Sequence, residues 1–190
     1  MNDQKAKIDE SAAALSDVLD RFLETRRGVF EAAAGAVAGR VRAGGKVLVF
    51  GNGGSAAEAQ HFAAELVNGI DRKGPAIAAV ALTTDTSSLT AIGNDRGFDL
   101  VFSRQVEALG GPADVALALT TSGESPNVLE ALRTARAKGM LTVALTGEGG
   151  GKTAPLADYV LDVPCRSTPR VQETHLFLLH LLAERLEIGA

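Results

Sequence analysis

Histidine is scarce in this chain, three in 190 residues, and all three fall in two stretches of helical pattern. His61 and Glu65 are four residues apart, which puts an imidazole and a carboxylate on one helical face. Gln172 and His180 are eight apart, a displacement of roughly 80° at about 100° per residue, so an amide and a second imidazole can face one cavity. Together His61, Glu65, Gln172 and His180 have the chemistry of a divalent-metal site with one uncommon amide ligand. The same groups would serve equally as an acid–base set, and spacing alone does not choose between the two. The plain alternatives are an exposed helical pair at 61 and 65, and a satisfied buried histidine at 180 within the apolar run LFLLHLLAERL.

Two further segments share one design. Phe50-Gly51-Asn52-Gly53-Gly54-Ser55 follows a strand pattern and opens a helix, as does Thr120-Thr121-Ser122-Gly123-Glu124-Ser125. Pro126 then stands at the favoured first helical position. Glycines let the backbone turn sharply and approach a ligand, and a helix N-terminus offers unpaired N–H groups to an anion. Each loop alone could be a tight turn with a cap. Two in one small chain point to phosphate. GNGGSA is an imperfect G-x-G-x-x-G, and about 20 residues on, at Asp71, the chain is in a polar loop rather than at a strand end; a nicotinamide site is a poor fit. GEGGGK at Gly147–Lys152 lacks the GK[ST] of a phosphate-binding Walker loop and is expected to be a flexible loop.

These groups need a scaffold. Strand patterns cover Val47–Phe50, Ile77–Leu82, Val115–Leu119, Leu141–Leu145 and Tyr159–Val163. Helical patterns cover Ser55–Val67, Thr86–Ile92, Phe98–Leu109, Pro126–Lys138 and Val171–Leu186. Nearly continuous apolar strands alternating with helices predict an α/β fold with a parallel sheet covered on both faces, its ligand at the carboxyl ends of the strands. Residues 1–43 read as two helices broken at Gly28, the first with an apolar stripe of Ile8, Ala12, Leu15, Leu19 and Phe22, the second with Phe30, Ala34, Val37 and Val41. The stripe suits a core or a subunit interface. No linker-like stretch divides the chain, so a single domain over 1–190 is expected.

Composition narrows the class. The chain is 46% hydrophobic and 22% charged, which supports a core and argues against global disorder. A net charge of −4 with scattered basic residues argues against nucleic acid or an anionic membrane as partner. The one cysteine, Cys165, excludes an internal disulfide and a multi-cysteine zinc site, and reads as a packing residue. The polar start MNDQKAKIDE and the lack of a run of roughly 20 apolar residues predict a cytoplasmic protein.

Long segments are recognisable. Gly51–Leu66 (GNGGSAAEAQHFAAEL), Leu82–Asp99 (LTTDTSSLTAIGNDRGFD), the TTSGES loop, and Arg170–His175 (RVQETH) through His180 resemble phosphoheptose isomerases of the SIS (sugar isomerase) family, over nearly the whole chain and in the right order. The resemblance implies a five-stranded parallel, flavodoxin-like sheet flanked by helices, and a homotetramer with active sites between subunits. It implies isomerisation of sedoheptulose 7-phosphate to D-glycero-D-manno-heptose 7-phosphate, the first step towards activated heptoses for lipopolysaccharide, capsule or related glycans. It assigns phosphate binding to Ser55, Thr121, Ser122 and Ser125 with the second loop's amides, substrate binding to Thr120, and the sugar site to Asn52, Gly53, Gly54, Asn94 and Asp95. Glu65 and His180 match the catalytic pair and Gln172 a substrate-contacting amide; by the same resemblance His61, Glu65, Gln172 and His180 would hold zinc.

Two positions depart from the family pattern. Glu124 stands where Asn is common and sets a negative charge beside the phosphate hydroxyls. Asn68-Gly69 replaces a usual Gly-Arg, so a basic contact is missing unless Arg72 supplies it. A related SIS protein that acts as an adaptor for the bacterial replication initiator shares the GNG-SAA stretch but lacks a glutamate matching Glu65, which this chain retains. SIS sensor modules of transcription regulators are normally fused to a DNA-binding domain, and residues 1–43 are too short and too acidic to resemble one.

Overall fold

The five apolar runs become five strands, β1 (Val47–Gly51), β2 (Ala79–Ala81), β3 (Val115–Thr120), β4 (Leu141–Thr146) and β5 (Tyr159–Asp162), in a computed structural model that describes residues 2–70 and 74–188. All neighbours are parallel, in the order β2-β1-β3-β4-β5. The helices are α1 (Asn2–Arg42), α2 (Gly54–Asn68), α3 (Thr86–Arg96), α4 (Ser103–Leu109), α5 (Pro126–Ala137) and α6 (Thr168–Ile188).

Helices cover both faces of the sheet, so β1, β3 and β4 are buried at every position, which is why their sequences read as unbroken apolar runs. Alternate residues divide between two cores. Val47, Val49, Val115 and Leu117 pack with Phe22 and Val37 of α1, Phe62 and Leu66 of α2, and Leu178 and Leu182 of α6. Leu48, Phe50, Ala116 and Ala118 pack with Val106 of α4 and Val128 and Leu132 of α5. Phe50 and Phe102 meet on this second side with ring centroids 5.5 Å apart.

The N-terminal segment corrects the two-helix expectation: α1 runs unbroken through Gly28. A Cβ at Gly28 would meet nothing within 4 Å, so the glycine rides on the exposed face. Its penalty of about 1 kcal/mol against Ala is outweighed because buried residues flank it, Val18 and Phe22 before and Ala33, Ala34 and Val37 after. Arg26 ties the same turn to the end of β5, donating from Nε to Asp162 Oδ1 at 2.6 Å and from Nη2 to Oδ2 at 3.0 Å. The predicted stripe is only half used for packing, since Phe22 is buried while Ile8 is 64% exposed.

Three smaller differences have local causes. Ile77 N–H donates to Leu66 O, so that segment joins the sheet only from Ala79. The helix expected over Phe98–Leu109 is a 3-10 turn, Phe98–Leu100, followed by α4. The glycine-rich 147–152 segment is held in place: Gly147 N–H donates to Thr121 O and Glu148 N–H to Cys165 O, and a 3-10 helix spans Gly151–Leu156.

Candidate active site

Leaving β1 the chain crosses to β2 on one side, and β3 then pairs with β1 on the other, so the sheet switches direction between β1 and β3. Loops diverge at such a point and leave a crevice at the strands' carboxyl ends. A small cavity of about 90 Å³ lies there, lined by Asn52, Ser55, Leu119, Thr120, Thr121, Ser122, Ser125 and Gln172. Every lining residue but Leu119 carries a polar side chain, and none is basic. The N-termini of α2 and α5 both open onto this cavity, so its positive potential comes from helix ends and hydroxyls.

The loops that shape it depend on close backbone approach. Gly53 caps α2 at φ 57, and a side chain on Gly54 would overlap the Gln172 amide. Gly123 has φ 68, and a Cβ there would run into the Gly150 carbonyl. Asn52 and Asn127 exchange two amide hydrogen bonds, 2.8 and 2.9 Å, which fix the first loop to the first turn of α5. Thr120 Oγ1 accepts from Gly123 N–H at 3.2 Å and Ser122 Oγ from Glu124 N–H at 3.2 Å. Ser125 occupies the cap of α5 without a side-chain cap bond, which leaves its hydroxyl for a ligand.

Glu124 is absent from the cavity wall. Its carboxylate accepts from Lys152, 2.6 Å from Nζ and 3.1 Å from the backbone N–H, and the bond to Lys152 holds it below the usual carboxylate range. The charge that looked unfavourable in the sequence thus joins the 120–125 loop to the glycine-rich segment. Arg72 lies outside the described residues.

A second cluster lies farther along α2 and α6. His61 Nε2 and His180 Nε2 face each other at 2.8 Å, with Glu65 Oε1 3.5 Å from His61 Nε2. Two imidazoles and a carboxylate are therefore together. Gln172 is not with them: at 1.5 Å per residue it stands about 12 Å from His180 along α6, against Gly54 in the switch-point cavity. Among the described residues no three His, Cys, Asp or Glu side chains close into a complete metal cluster. Two nitrogens on one tetrahedral zinc stand about 3.3 Å apart, given Zn–N near 2.0–2.1 Å, so the imidazole pair at 2.8 Å would have to open by about 0.5 Å to take one. Asn94 and Asp95 lie on α3, joined by an Asn94 Nδ2 to Asp95 Oδ1 bond of 2.7 Å. Asp95 faces a separate cleft of about 450 Å³ between α3 and α4.

Three polar residues near the site were not singled out by spacing. Asn127 is 2% exposed and braces Asn52; its position one residue after Pro126, inside the first turn of a helix, is the signal that could have found it. The other two are Glu58 on α2 and His175 on α6. Burial pushes Glu58 up to about 7 and pushes the fully buried His175 down to about 4.

A parallel five-stranded sheet with two helix N-termini opening onto its switch point defines an α/β domain of the SIS class, and residues 12–147 match the family model described as SIS domain. The phosphoheptose isomerase of Solidesulfovibrio magneticus is 51% identical over 180 residues, covering 95% of this chain and 86% of that one. The solved phosphoheptose isomerases of Neisseria gonorrhoeae and Francisella tularensis superpose with TM-scores of 0.92 and 0.93, at 42% and 35% identity. Each covers 97% of this chain, with 99% and 98% of their own lengths matched. The chain belongs to the phosphoheptose isomerase family.

Proposed function

We propose that this enzyme converts sedoheptulose 7-phosphate to D-glycero-D-manno-heptose 7-phosphate, opening the route to activated heptoses for lipopolysaccharide and related glycans. The observation that carries the reading is the pairing of a phosphate-sized polar cavity at the switch point with a retained Glu65 beside His61 and His180.

The substrate's phosphate anchors on the α2 and α5 N-termini with Ser55, Thr120, Thr121, Ser122 and Ser125, and binding energy from this remote end positions the carbonyl end. Glu65 takes a proton from C1, and the C–H electron pair becomes the C1–C2 double bond of an enediol. The proton is then delivered to C2 as the aldehyde forms at C1. His180 moves the accompanying proton between O2 and O1. Asn52, Gly53, Gly54, Gln172, Asn94 and Asp95 are assigned to the sugar.

Zinc fits the imidazole pair, with His61 and His180 as ligands and Glu65 alongside, and would supply polarisation of the carbonyl oxygen. Gln172 could join such a centre only from a second subunit, given its distance along α6. Sharing of sites within a homotetramer is supported by two further features. Ser55 and Glu65 are about 15 Å apart along α2, and α3 buries none of its residues within the chain. Ile8, Val67 and Phe98 add exposed apolar surface, at 64%, 53% and 63%. Among the described residues no helix is long and apolar enough to cross a membrane, which supports a cytoplasmic enzyme.

The test is NMR of purified protein with sedoheptulose 7-phosphate in deuterated water, with and without a chelator. An aldoheptose phosphate carrying deuterium at C2 is expected. Saturable binding without conversion would instead favour an adaptor or sensor.

A further inference from the structure

α2 and α6 start at the phosphate cavity and run side by side, and three polar meetings cross between them in order. Gln172 lies against Gly54 at the phosphate end, Glu58 meets His175 one turn on, and His61 meets His180 one turn farther. The first and last belong to the site described above. The middle one does not touch it, yet it holds two polar atoms that the packing leaves without a partner, Glu58 Oε2 and His175 Nδ1, 4.0 Å apart.

His175 is fully buried, and its other nitrogen, Nε2, lies 3.1 Å from Thr146 O at the end of β4. A carbonyl only accepts, so Nε2 carries the hydrogen and Nδ1 presents a lone pair. The partner for a lone pair is a donor, and a carboxylate is one only when protonated. An ion pair is disfavoured at both ends, because burial favours the neutral form of each group with no compensating charge.

We propose that Glu58 and His175 form a neutral hydrogen-bonded bridge, the Glu58 carboxyl donating to His175 Nδ1, which sets α2 against α6 and so fixes the approach of His61 to His180. The bond requires Glu58 Oε2 to move about 1 Å towards His175 Nδ1 from the 4.0 Å separation. The bridge continues through His175 Nε2 to Thr146, whose neighbour Gly147 donates to Thr121 O in the second phosphate loop. Glu58 and His175 are positioning residues: neither lines the phosphate cavity, and each acts through the helix that carries it.

The consequence for activity rests on the isomerase reading; the bridge itself does not, and the test separates them. Ring-nitrogen NMR of 15N-histidine-labelled protein at pH 7 should show His175 protonated at Nε2, with Nδ1 shifted as a hydrogen-bond acceptor. Glu58→Leu should move Nδ1 to the free lone-pair position and lower kcat about tenfold or more, as small misplacements of reacting groups do. Glu58→Gln, whose amide can donate, should restore most of both signals. An unbonded Nδ1 in the wild type overturns the bridge even if Glu58→Leu does not fold. Full kcat in folded Glu58→Leu overturns the positioning role, and a loss above about 100-fold in Glu58→Gln would make Glu58 an ionised base instead. If the wild type does not turn over the sugar, the isomerase reading fails while the nitrogen shifts still decide the bridge.

Discussion

Substituting Glu58 by Gln should change how stability depends on pH, and the size of the change follows from burial. Glu58 is 11% exposed at its side chain and its proton affinity is raised from an ordinary 4.5 to about 7 by burial. Between those values the folded state holds a proton that the unfolded chain has released. Stability contributed by this group is therefore lost as pH rises from 4.5 to 7, by about 3 kcal/mol at about 1.4 kcal/mol per tenfold change in affinity. His175 works the other way. Its affinity is lowered from 6.5 to about 4, so the unfolded chain binds a proton that the folded state refuses, and stability is lost as pH falls from 6.5 to 4. The two slopes oppose each other across pH 4.5–6.5 and largely cancel in the wild type. Gln has no proton to lose, so Glu58→Gln should leave the His175 slope exposed below pH 6.5 and remove the loss towards pH 7. Urea unfolding of both proteins at pH 5 and pH 8.5 measures this directly. The variant should gain about 2–3 kcal/mol on the wild type between the two conditions, and any fixed packing difference drops out of the comparison. Parallel behaviour of the two proteins would refute the reasoning, since it would mean that Glu58 has the same proton affinity folded and unfolded.

Other outcomes follow from the site. Glu65→Gln should lower kcat by 10²–10⁴-fold in the deuterium-exchange assay while leaving the fold and phosphate affinity intact; a variant retaining more than about a tenth of the rate would remove Glu65 as the base. Ser122→Ala combined with Ser125→Ala should raise KM about 10²–10⁴-fold with a smaller effect on kcat, at about 1.5–3 kcal/mol for each of two hydrogen bonds to a charged group. Gly123→Ala should lower stability by about 1–3 kcal/mol, read as a shift in the unfolding midpoint, because φ 68 and the Gly150 carbonyl both oppose a Cβ. Elemental analysis should find zinc in the purified wild type and little in His61→Ala, with chelation removing activity in parallel; metal content unaffected by His61→Ala would move the metal elsewhere.

Much of this was legible because period and punctuation agree. Strands buried on both faces read as VLVF, VALAL and LTVAL, and each phosphate loop is marked by glycine or by Pro126 at a helix start. Gly28 misled because a local helix penalty was weighed without the tertiary contacts on either side of it. The Phe98–Leu109 pattern likewise hid a break at Val101 and Phe102, between the 3-10 turn and α4. Within the site, helical spacing suggested only the pairs His61 with Glu65 and Gln172 with His180, and the family resemblance brought His61 and His180 into one set. The placement of Gln172 was not legible, since angular agreement around a helix says nothing of the axial distance. Glu124 looked unfavourable only because its partner, Lys152, lies 28 residues away along the chain. Glu58 and His175 were invisible as a pair for the same reason: each is unremarkable on its own helix, and the partnership exists only once α2 and α6 pack.

That packing also explains why a polar bridge belongs in an otherwise apolar seam. Ala59, Phe62, Ala63 and Leu66 of α2 are buried in the same core as Val171, Leu178, Leu179 and Leu182 of α6. Close packing of these side chains resists sliding, but apolar contacts are non-directional and tolerate small shifts better than a hydrogen bond does. A one-turn slip would move His61 about 5 Å relative to His180 and dissolve the pair. A hydrogen bond between two groups that have no other partner is directional and fails with a slip of even 1 Å. It then leaves two buried polar atoms unsatisfied, a penalty of about 1–3 kcal/mol for each. One such bond midway along the seam adds a penalty to any such slip and so holds His61 and His180 in register, which the meeting of the two imidazoles requires.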